Sequence, residues 1–176
     1  TSGDFDADGK PDIAVANYYK HSISIYKNIT AGSNINFVPK ADIILPNETK
    51  DAKIADMDGD GKPDIVFMNP GVNYGQPSAS VLRNTSSGGT ISFASNVTFY
   101  AGDGLKNLTL ADIDGNGKLD IVTAGSSGGT VLPNISSVGN LQFAPHVVLP
   151  ISGSMPLSWG LTVNDLNGDG KPDVAV

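Results

Sequence analysis

The side chains with the clearest chemistry in this sequence are oxygen donors, which recur in four short acidic segments. Counted from the first aspartate of each segment, Asp or Asn occupies positions 1, 3, 5 and 9, and glycine occupies position 6. Alternate positions on a curling backbone can direct successive oxygens at one point, and glycine permits the sharp turn. This spacing predicts loops that bind a hard cation.

We number these segments loops 1 to 4 and give their predicted ligands in full. They are Asp4, Asp6, Asp8 and Asp12 in loop 1; Asp56, Asp58, Asp60 and Asp64 in loop 2; Asp112, Asp114, Asn116 and Asp120 in loop 3; and Asp165, Asn167, Asp169 and Asp173 in loop 4. Position 7 is always lysine, which is expected to contribute its backbone carbonyl: Lys10, Lys62, Lys118 and Lys171. Oxygen ligands without nitrogen or sulfur favour Ca²⁺, with up to four ions, one in each loop.

The distribution of charge supports a bound cation. The formal net charge is −7, and 14 of the 18 acidic residues lie in the four loops. Like charges packed this closely repel one another unless a cation neutralises them. Four Ca²⁺ ions would bring the formal charge of −7 to +1.

Composition excludes several other classes of site and partner. There is no cysteine, so disulfides and thiolate metal sites are impossible. Basic residues are scattered without an aromatic platform, so nucleic acid is not expected as a partner. No apolar run in this chain is long enough to span a membrane.

The loops mark an internal repeat with steps of 52, 56 and 53 residues between their first aspartates. Each unit contains four short apolar or alternating segments separated by Gly, Pro, Asn and Ser, which predicts four antiparallel strands. The first strand enters the acidic loop, the second leaves it, the third is typified by Ser22 to Tyr26, and the fourth is expected to start at Phe37, Phe93 or Phe143. The predicted fold is all-β, with β-propeller blades at approximately 1–49, 50–105 and 106–157 and the start of a fourth at 158–176.

The residues that follow each loop separate three families with similar spacings. An EF-hand requires Glu at position 12, where this chain has Val15, Phe67, Thr123 and Val176. A dockerin resembles "DLNGDGK", but its paired motifs lie about one short helix apart. A last ligand at position 9 followed by a strand resembles the FG-GAP repeat of integrin α chains and the related VCBS-type repeats. The departures are mild: Leu119 replaces the usual proline, and Asn116 and Asn167 in place of aspartate are expected to weaken Ca²⁺ binding by loops 3 and 4.

The resemblance implies a calcium-binding propeller, typically seven-bladed, that acts at the cell surface or is secreted. The chain holds three full units and half a fourth, too few to close a ring. Further blades would come from a longer parent chain or from other copies, and we favour the longer chain because open sheet edges promote aggregation.

The resemblance also implies that partners bind the face opposite the calcium loops. Aromatic side chains available there for a protein or glycan ligand are Tyr18, Tyr19, Tyr74 and Trp159. No carboxylate pair outside the loops suits glycoside hydrolysis, so we expect a non-catalytic adhesion or recognition module rather than an enzyme. The alternatives are an accessory propeller of a secreted polysaccharide-degrading enzyme and a purely structural surface repeat.

Overall fold

The computed structural model describes residues 1–39, 41–71, 76–126, 128–149 and 160–176. The described residues form three four-stranded antiparallel sheets and one two-stranded sheet. One short 3-10 turn at Tyr18–Lys20 is the only helical element among them. Within these ranges, no helix has the length and apolar character needed to cross a membrane. The predicted all-β fold with propeller-like blades is confirmed.

Each sheet uses consecutive strands in sequence order. Sheet 1 consists of β1 (Ser2–Gly3), β2 (Asp12–Asn17), β3 (Ser22–Tyr26) and β4 (Ala41–Ile44); sheet 2 of β5 (Lys50–Ala55), β6 (Asp64–Asn69), β7 (Ser78–Leu82) and β8 (Val97–Tyr100); sheet 3 of β9 (Leu105–Ala111), β10 (Asp120–Gly125), β11 (Gly128–Leu132) and β12 (Val147–Leu149); and sheet 4 of β13 (Thr162–Asn164) and β14 (Asp173–Ala175).

The fourth strands begin later than predicted. Each phenylalanine that was expected to start one makes only an isolated bridge to a turn asparagine, pairing Asn28 with Phe37, Asn84 with Phe93 and Asn134 with Phe143. In sheets 1 and 3, Pro39 and Pro145 follow this bridge. Proline has no N–H group to donate to the ladder, which contributes to the delay in these two sheets, but sheet 2 has the same delay without a proline.

The core lies between neighbouring sheets. Sheets 1 and 2 bury one cluster, and sheets 2 and 3 bury another. The largest fully buried members are Phe5, Ile23, Ile65, Phe67 and Leu82 in the first, and Met57, Val66, Met68 and Ile121 in the second. Every residue of β6 and β10 is buried. In β2, Val15 remains 40 % exposed. β5 contacts β2 of sheet 1 and β9 of sheet 3, so consecutive sheets pack against one another as propeller blades do.

This strand order separates two kinds of connection. The acidic loops join first to second strands, and they share one face with the hairpins between third and fourth strands; we call this the acidic face. The connections from second to third strands, and from a fourth strand to the next sheet, lie on the opposite face. The fold therefore places all four acidic loops on one side of the molecule.

Candidate metal centres

The carboxylate at position 1 of each loop organises the backbone of the turn. In loop 2, Asp56 accepts hydrogen bonds from the N–H groups of Gly59, Asp60 and Gly61 at 2.8, 3.2 and 2.8 Å. Asp112 and Asp165 accept the equivalent three bonds in loops 3 and 4. The first aspartate therefore holds the loop in a closed curve before any cation is considered.

Two positions of each loop require left-handed backbone. The position 6 glycines have φ between 82° and 84°, as the sequence predicted. Position 4 is also left-handed, with φ of 80° at Gly59, 75° at Gly115 and 82° at Gly168. In loop 1 this position is Ala7, with φ of 61°. Sequence reasoning missed this requirement, although glycine in three of four copies is a readable signal of it.

The carboxylate at position 9 joins the loop to the rest of its sheet. Asp64 accepts one bond from the N–H group of Met57, at 2.9 Å, and another from that of Asn84, at 2.8 Å. Asp12 and Asp120 make the corresponding pairs of bonds in loops 1 and 3. All three are fully buried. In loop 4, Asp173 is half-buried and accepts a bond from Leu166 at 3.0 Å.

Burial raises the pKa of the position 9 carboxylates in loops 1 to 3, against the opposing effect of their backbone hydrogen bonds. The pKa of Asp64 is raised from 3.8 to about 6, with Asp58 and Asp60 adding repulsion. Burial likewise raises the pKa of Asp12 and of Asp120. By contrast, backbone hydrogen bonds from Gly170 and Gly168 lower the pKa of Asp165. A buried carboxylate beside other carboxylates is unfavourable while it is charged and has no cation nearby.

Three of the loops bring three carboxylate oxygens within 4.8 Å of one another. The triads are Asp4, Asp6 and Asp8; Asp56, Asp58 and Asp64; and Asp112, Asp114 and Asp120. The predicted ligands Asp12, Asp60, Asp165, Asp169 and Asp173 lie outside these triads. Asn116 and Asn167 each accept a hydrogen bond from a backbone N–H two residues ahead, so they support their turns.

The residues present fit a hard cation. Asp6 Oδ1 is buried and has no hydrogen-bond partner among the described residues. Such an orphaned oxygen is costly to bury and is the kind of group that a cation satisfies. At position 7, Lys118 uses its ammonium group to bond the Ser136 carbonyl at 2.5 Å, and Lys10 lies 3.9 Å from Asp8. Lys62 and Lys171 also occupy position 7, and their carbonyls remain predicted ligands.

A basic residue at the end of the third strand reaches two of the loops. Lys27 pairs with Asp6 in loop 1, and Arg83 lies 3.7 Å from Asp58 and 3.8 Å from Asp60 in loop 2. Pro133 occupies this position in the third repeat and carries no charge. Sequence reasoning missed these cations; the readable signal was the residue before each turn asparagine, in "KNIT", "RNTS" and "PNIS".

The turn asparagines connect each loop to the next sheet. Asn84 donates to the Phe5 carbonyl of loop 1 at 2.9 Å and to Pro63 of its own sheet at 3.1 Å. Asn134 makes the same two kinds of bond, to Met57 at 2.9 Å and to Leu119 at 3.0 Å. Both asparagines are fully buried. Each side chain therefore joins a loop to the hairpin of the following sheet.

Two of the four predicted ligand-face aromatics are described, and they are neighbours. The rings of Tyr18 and Tyr19 meet edge to face, with centroids 5.0 Å apart. They line a cleft of about 380 Å³ on the opposite face, together with Lys50, Pro70, Leu105 and Lys106. A hydrogen bond to Glu48 raises the pKa of the Tyr18 hydroxyl. Tyr74 and Trp159 lie outside the described residues.

The repeat pattern matches a known family. A family model described as an FG-GAP-like repeat matches residues 4–67, 56–123 and 112–176. Each match begins at the first aspartate of one loop and extends through the next loop. A comparison with curated proteins found no match to this chain.

Proposed function

Because the chain belongs to the FG-GAP-like repeat family, we propose that it is a calcium-stabilised, non-catalytic part of an extracellular or cell-surface β-propeller that recognises a protein or glycan. The calcium loops maintain the blades on the acidic face. The opposite face carries the recognition surface. The arrangement of carboxylates in the loops is the observation that supports this proposal most directly.

The choice of Ca²⁺ follows from the chemistry of the donors. Each triad offers carboxylate oxygens only, and a further side-chain oxygen and a lysine carbonyl stand close by in sequence. Ca²⁺ accepts 6 to 8 oxygens in flexible geometry, whereas Zn²⁺ prefers nitrogen or sulfur and Mg²⁺ retains several waters. A bound Ca²⁺ would supply two positive charges to each carboxylate cluster. The position 9 carboxylate would then bind the cation while it also accepts its two backbone hydrogen bonds, one from the loop and one from the turn that follows the third strand.

An extracellular location follows from the expected affinity. EF-hand loops of extracellular modules, which also present alternate oxygen donors, bind Ca²⁺ with dissociation constants of about 10⁻⁴ to 10⁻³ M, and a similar affinity here would be satisfied by extracellular calcium. The non-catalytic assignment is supported by the few acidic residues outside the loops, which are Asp42, Glu48, Asp51 and Asp103. Asp51 is paired with Lys53 at 2.9 Å, and Asp103 accepts a bond from Tyr100 at 3.0 Å.

Thermal unfolding with and without a chelator tests the calcium part of this proposal. We expect EDTA to lower the unfolding temperature, and Ca²⁺ to restore it at concentrations where Mg²⁺ does not. Asp58→Asn should reduce the effect of EDTA, because Asp58 is a buried member of the loop 2 triad. Asp103→Asn is the matched control, since Asp103 is exposed and outside the loops. An unfolding temperature that EDTA leaves unchanged would contradict structural calcium.

A further inference from the structure

We propose that the cleft on the opposite face binds a carboxylate-bearing sugar residue, such as a uronate. The Tyr18 and Tyr19 rings would contact the sugar ring, and Lys50 and Lys106 would pair with its carboxylate. This inference rests on the recognition role proposed above and specifies its ligand class. The cleft residues come from three successive sheets and their connections, so the ligand would bridge neighbouring blades.

The charge of the cleft selects an anion. Among the described residues, neither Lys50 nor Lys106 has an ion pair or a hydrogen bond through its ammonium group. Nearby Lys53, by comparison, is neutralised by Asp51. Most of the negative charge of the chain lies on the acidic face. Two unpaired ammonium groups line the cleft, and one carboxylate, that of Glu48, lies beside it on the Tyr18 hydroxyl, so the net charge there is positive and favours an anion.

The two lysines also share a position in the repeat. Each stands six residues before the first aspartate of a loop, Lys50 before Asp56 and Lys106 before Asp112. In the structure, these two equivalent lysines of neighbouring repeats line the same cleft.

The aromatic and apolar lining favours a ring-shaped ligand. Tyr19 is 92 % exposed, an unusual state for so large a side chain in a folded protein. Its ring stands at 87° to that of Tyr18, so the pair forms a corner with two differently oriented faces. Glu48 holds the Tyr18 hydroxyl and so helps to orient that ring. A volume of 380 Å³ lies within the range of about 300–1,000 Å³ for small-molecule sites.

A sugar suits this cleft better than an acidic peptide. Extended peptides are commonly recognised by adding a strand to an exposed sheet edge. Lys50 and Leu105 belong to β5 and β9, the edge strands of sheets 2 and 3, but these two strands lie against each other, which leaves little room at this cleft for an added strand. Its other lining residues, Tyr18, Tyr19 and Pro70, lie in connections between strands.

Calorimetric titration with defined oligosaccharides tests the inference. The probes are a galacturonate trisaccharide, the neutral galactose trisaccharide and a hexaglutamate peptide, all at a fixed free Ca²⁺ of about 1 mM. We expect only the galacturonate to bind. Lys50→Ala and Lys106→Ala should each weaken binding about tenfold, the scale of one charged hydrogen bond. Tyr19→Ala, a change at an exposed side chain, should weaken binding without lowering the unfolding temperature.

Lys20→Ala is the matched control, because Lys20 is exposed on the same turn but does not line the cleft. Absence of galacturonate binding, equal binding of the neutral sugar, tighter binding of the peptide, or an equal loss in Lys20→Ala would each overturn the inference. The chelator experiment separates this failure from failure of the proposed function. A normal EDTA shift without galacturonate binding removes only the ligand assignment, whereas an absent EDTA shift removes the structural calcium.

Discussion

The left-handed residue at position 4 of the loops allows a backbone effect to be measured almost in isolation. Gly59 has φ of 80°, and a Cβ atom added there would meet nothing within 4 Å. Gly59→Ala should therefore change stability through backbone conformation alone. Left-handed backbone costs a residue other than glycine about 1–2 kcal/mol. The alanine recovers about 0.4–1 kcal/mol because it restricts the unfolded chain. We expect a net destabilisation of about 1 kcal/mol.

The reverse change is available in loop 1. Ala7 already occupies the left-handed region with φ of 61°, so Ala7→Gly should stabilise the protein by about 1 kcal/mol. For a chain of this length, 1 kcal/mol corresponds to about 2–4 °C in unfolding temperature.

Urea denaturation and thermal unfolding, each with saturating Ca²⁺ and with EDTA, measure both changes. The control is Gly160→Ala, because Gly160 is equally uncrowded but lies outside the left-handed region. It should be neutral or slightly stabilising. The reasoning would be refuted if Gly59→Ala matched Gly160→Ala, or if Ala7→Gly lowered stability.

Three further predictions concern the contacts around the loops. Asn84→Ala should cost about 3 kcal/mol in urea denaturation, because it leaves the Phe5 and Pro63 carbonyls and the Ser86 N–H without their bonds. Asn28→Ala, which breaks only bonds to Pro11 and Thr30 at a half-buried site, should cost about 1 kcal/mol, and equal losses would contradict the cross-sheet role. In EDTA, stability should fall as the pH rises from about 4 to about 6, because the raised pKa of buried Asp64 makes the folded state bind protons more tightly than the unfolded state. Ca²⁺ should reverse that trend, since it binds the charged carboxylate. Unfolding temperatures measured across this pH range check the sign, and an unfolding temperature that increases with pH in EDTA would contradict the prediction. Lys27→Met should tighten Ca²⁺ binding to loop 1 about fivefold in a chelator competition assay, because the competing ammonium on Asp6 is removed, whereas weaker binding would show that Lys27 supports the site.

The features that repeat at fixed spacing could be predicted from the sequence. The period between loops indicated four-stranded units, and the alternation from Ser22 to Tyr26 predicted β3 with its observed bounds. The oxygen donors at alternate positions predicted the clusters that form in loops 1 to 3. These features depend on local spacing, which a single repeat already contains and the other copies reinforce.

The features that were missed depend on contacts between distant residues or on one atypical copy. The bond from Asn84 to Phe5 joins residues that are 79 positions apart, and no local sequence pattern predicts it. Lys27 reaches Asp6 only after the third strand has returned to the acidic face. Loop 1 has Ala7 at position 4, where the other three loops have glycine, so the preference for glycine is not visible in every copy. Each phenylalanine that was expected to begin a fourth strand makes only an isolated bridge, and regular pairing starts four residues later in all three sheets.

The asparagine bonds between sheets imply that the cooperative unit of folding is not the same as one sequence repeat, because it combines the loop of one repeat with the hairpin of the next. Asn84 of sheet 2 holds loop 1 through its bond to the Phe5 carbonyl. Two residues of the sheet 3 hairpin hold loop 2: Asn134 bonds the Met57 carbonyl, and the Gly139 N–H group donates to Asp58 at 2.8 Å. Docking of one sheet therefore helps to form the candidate ion site of the sheet before it. In a one-dimensional nearest-neighbour description, this contribution belongs to the coupling between units rather than to any unit itself. An engineer who transplants one repeat would keep its loop intact only by carrying over the hairpin of its successor.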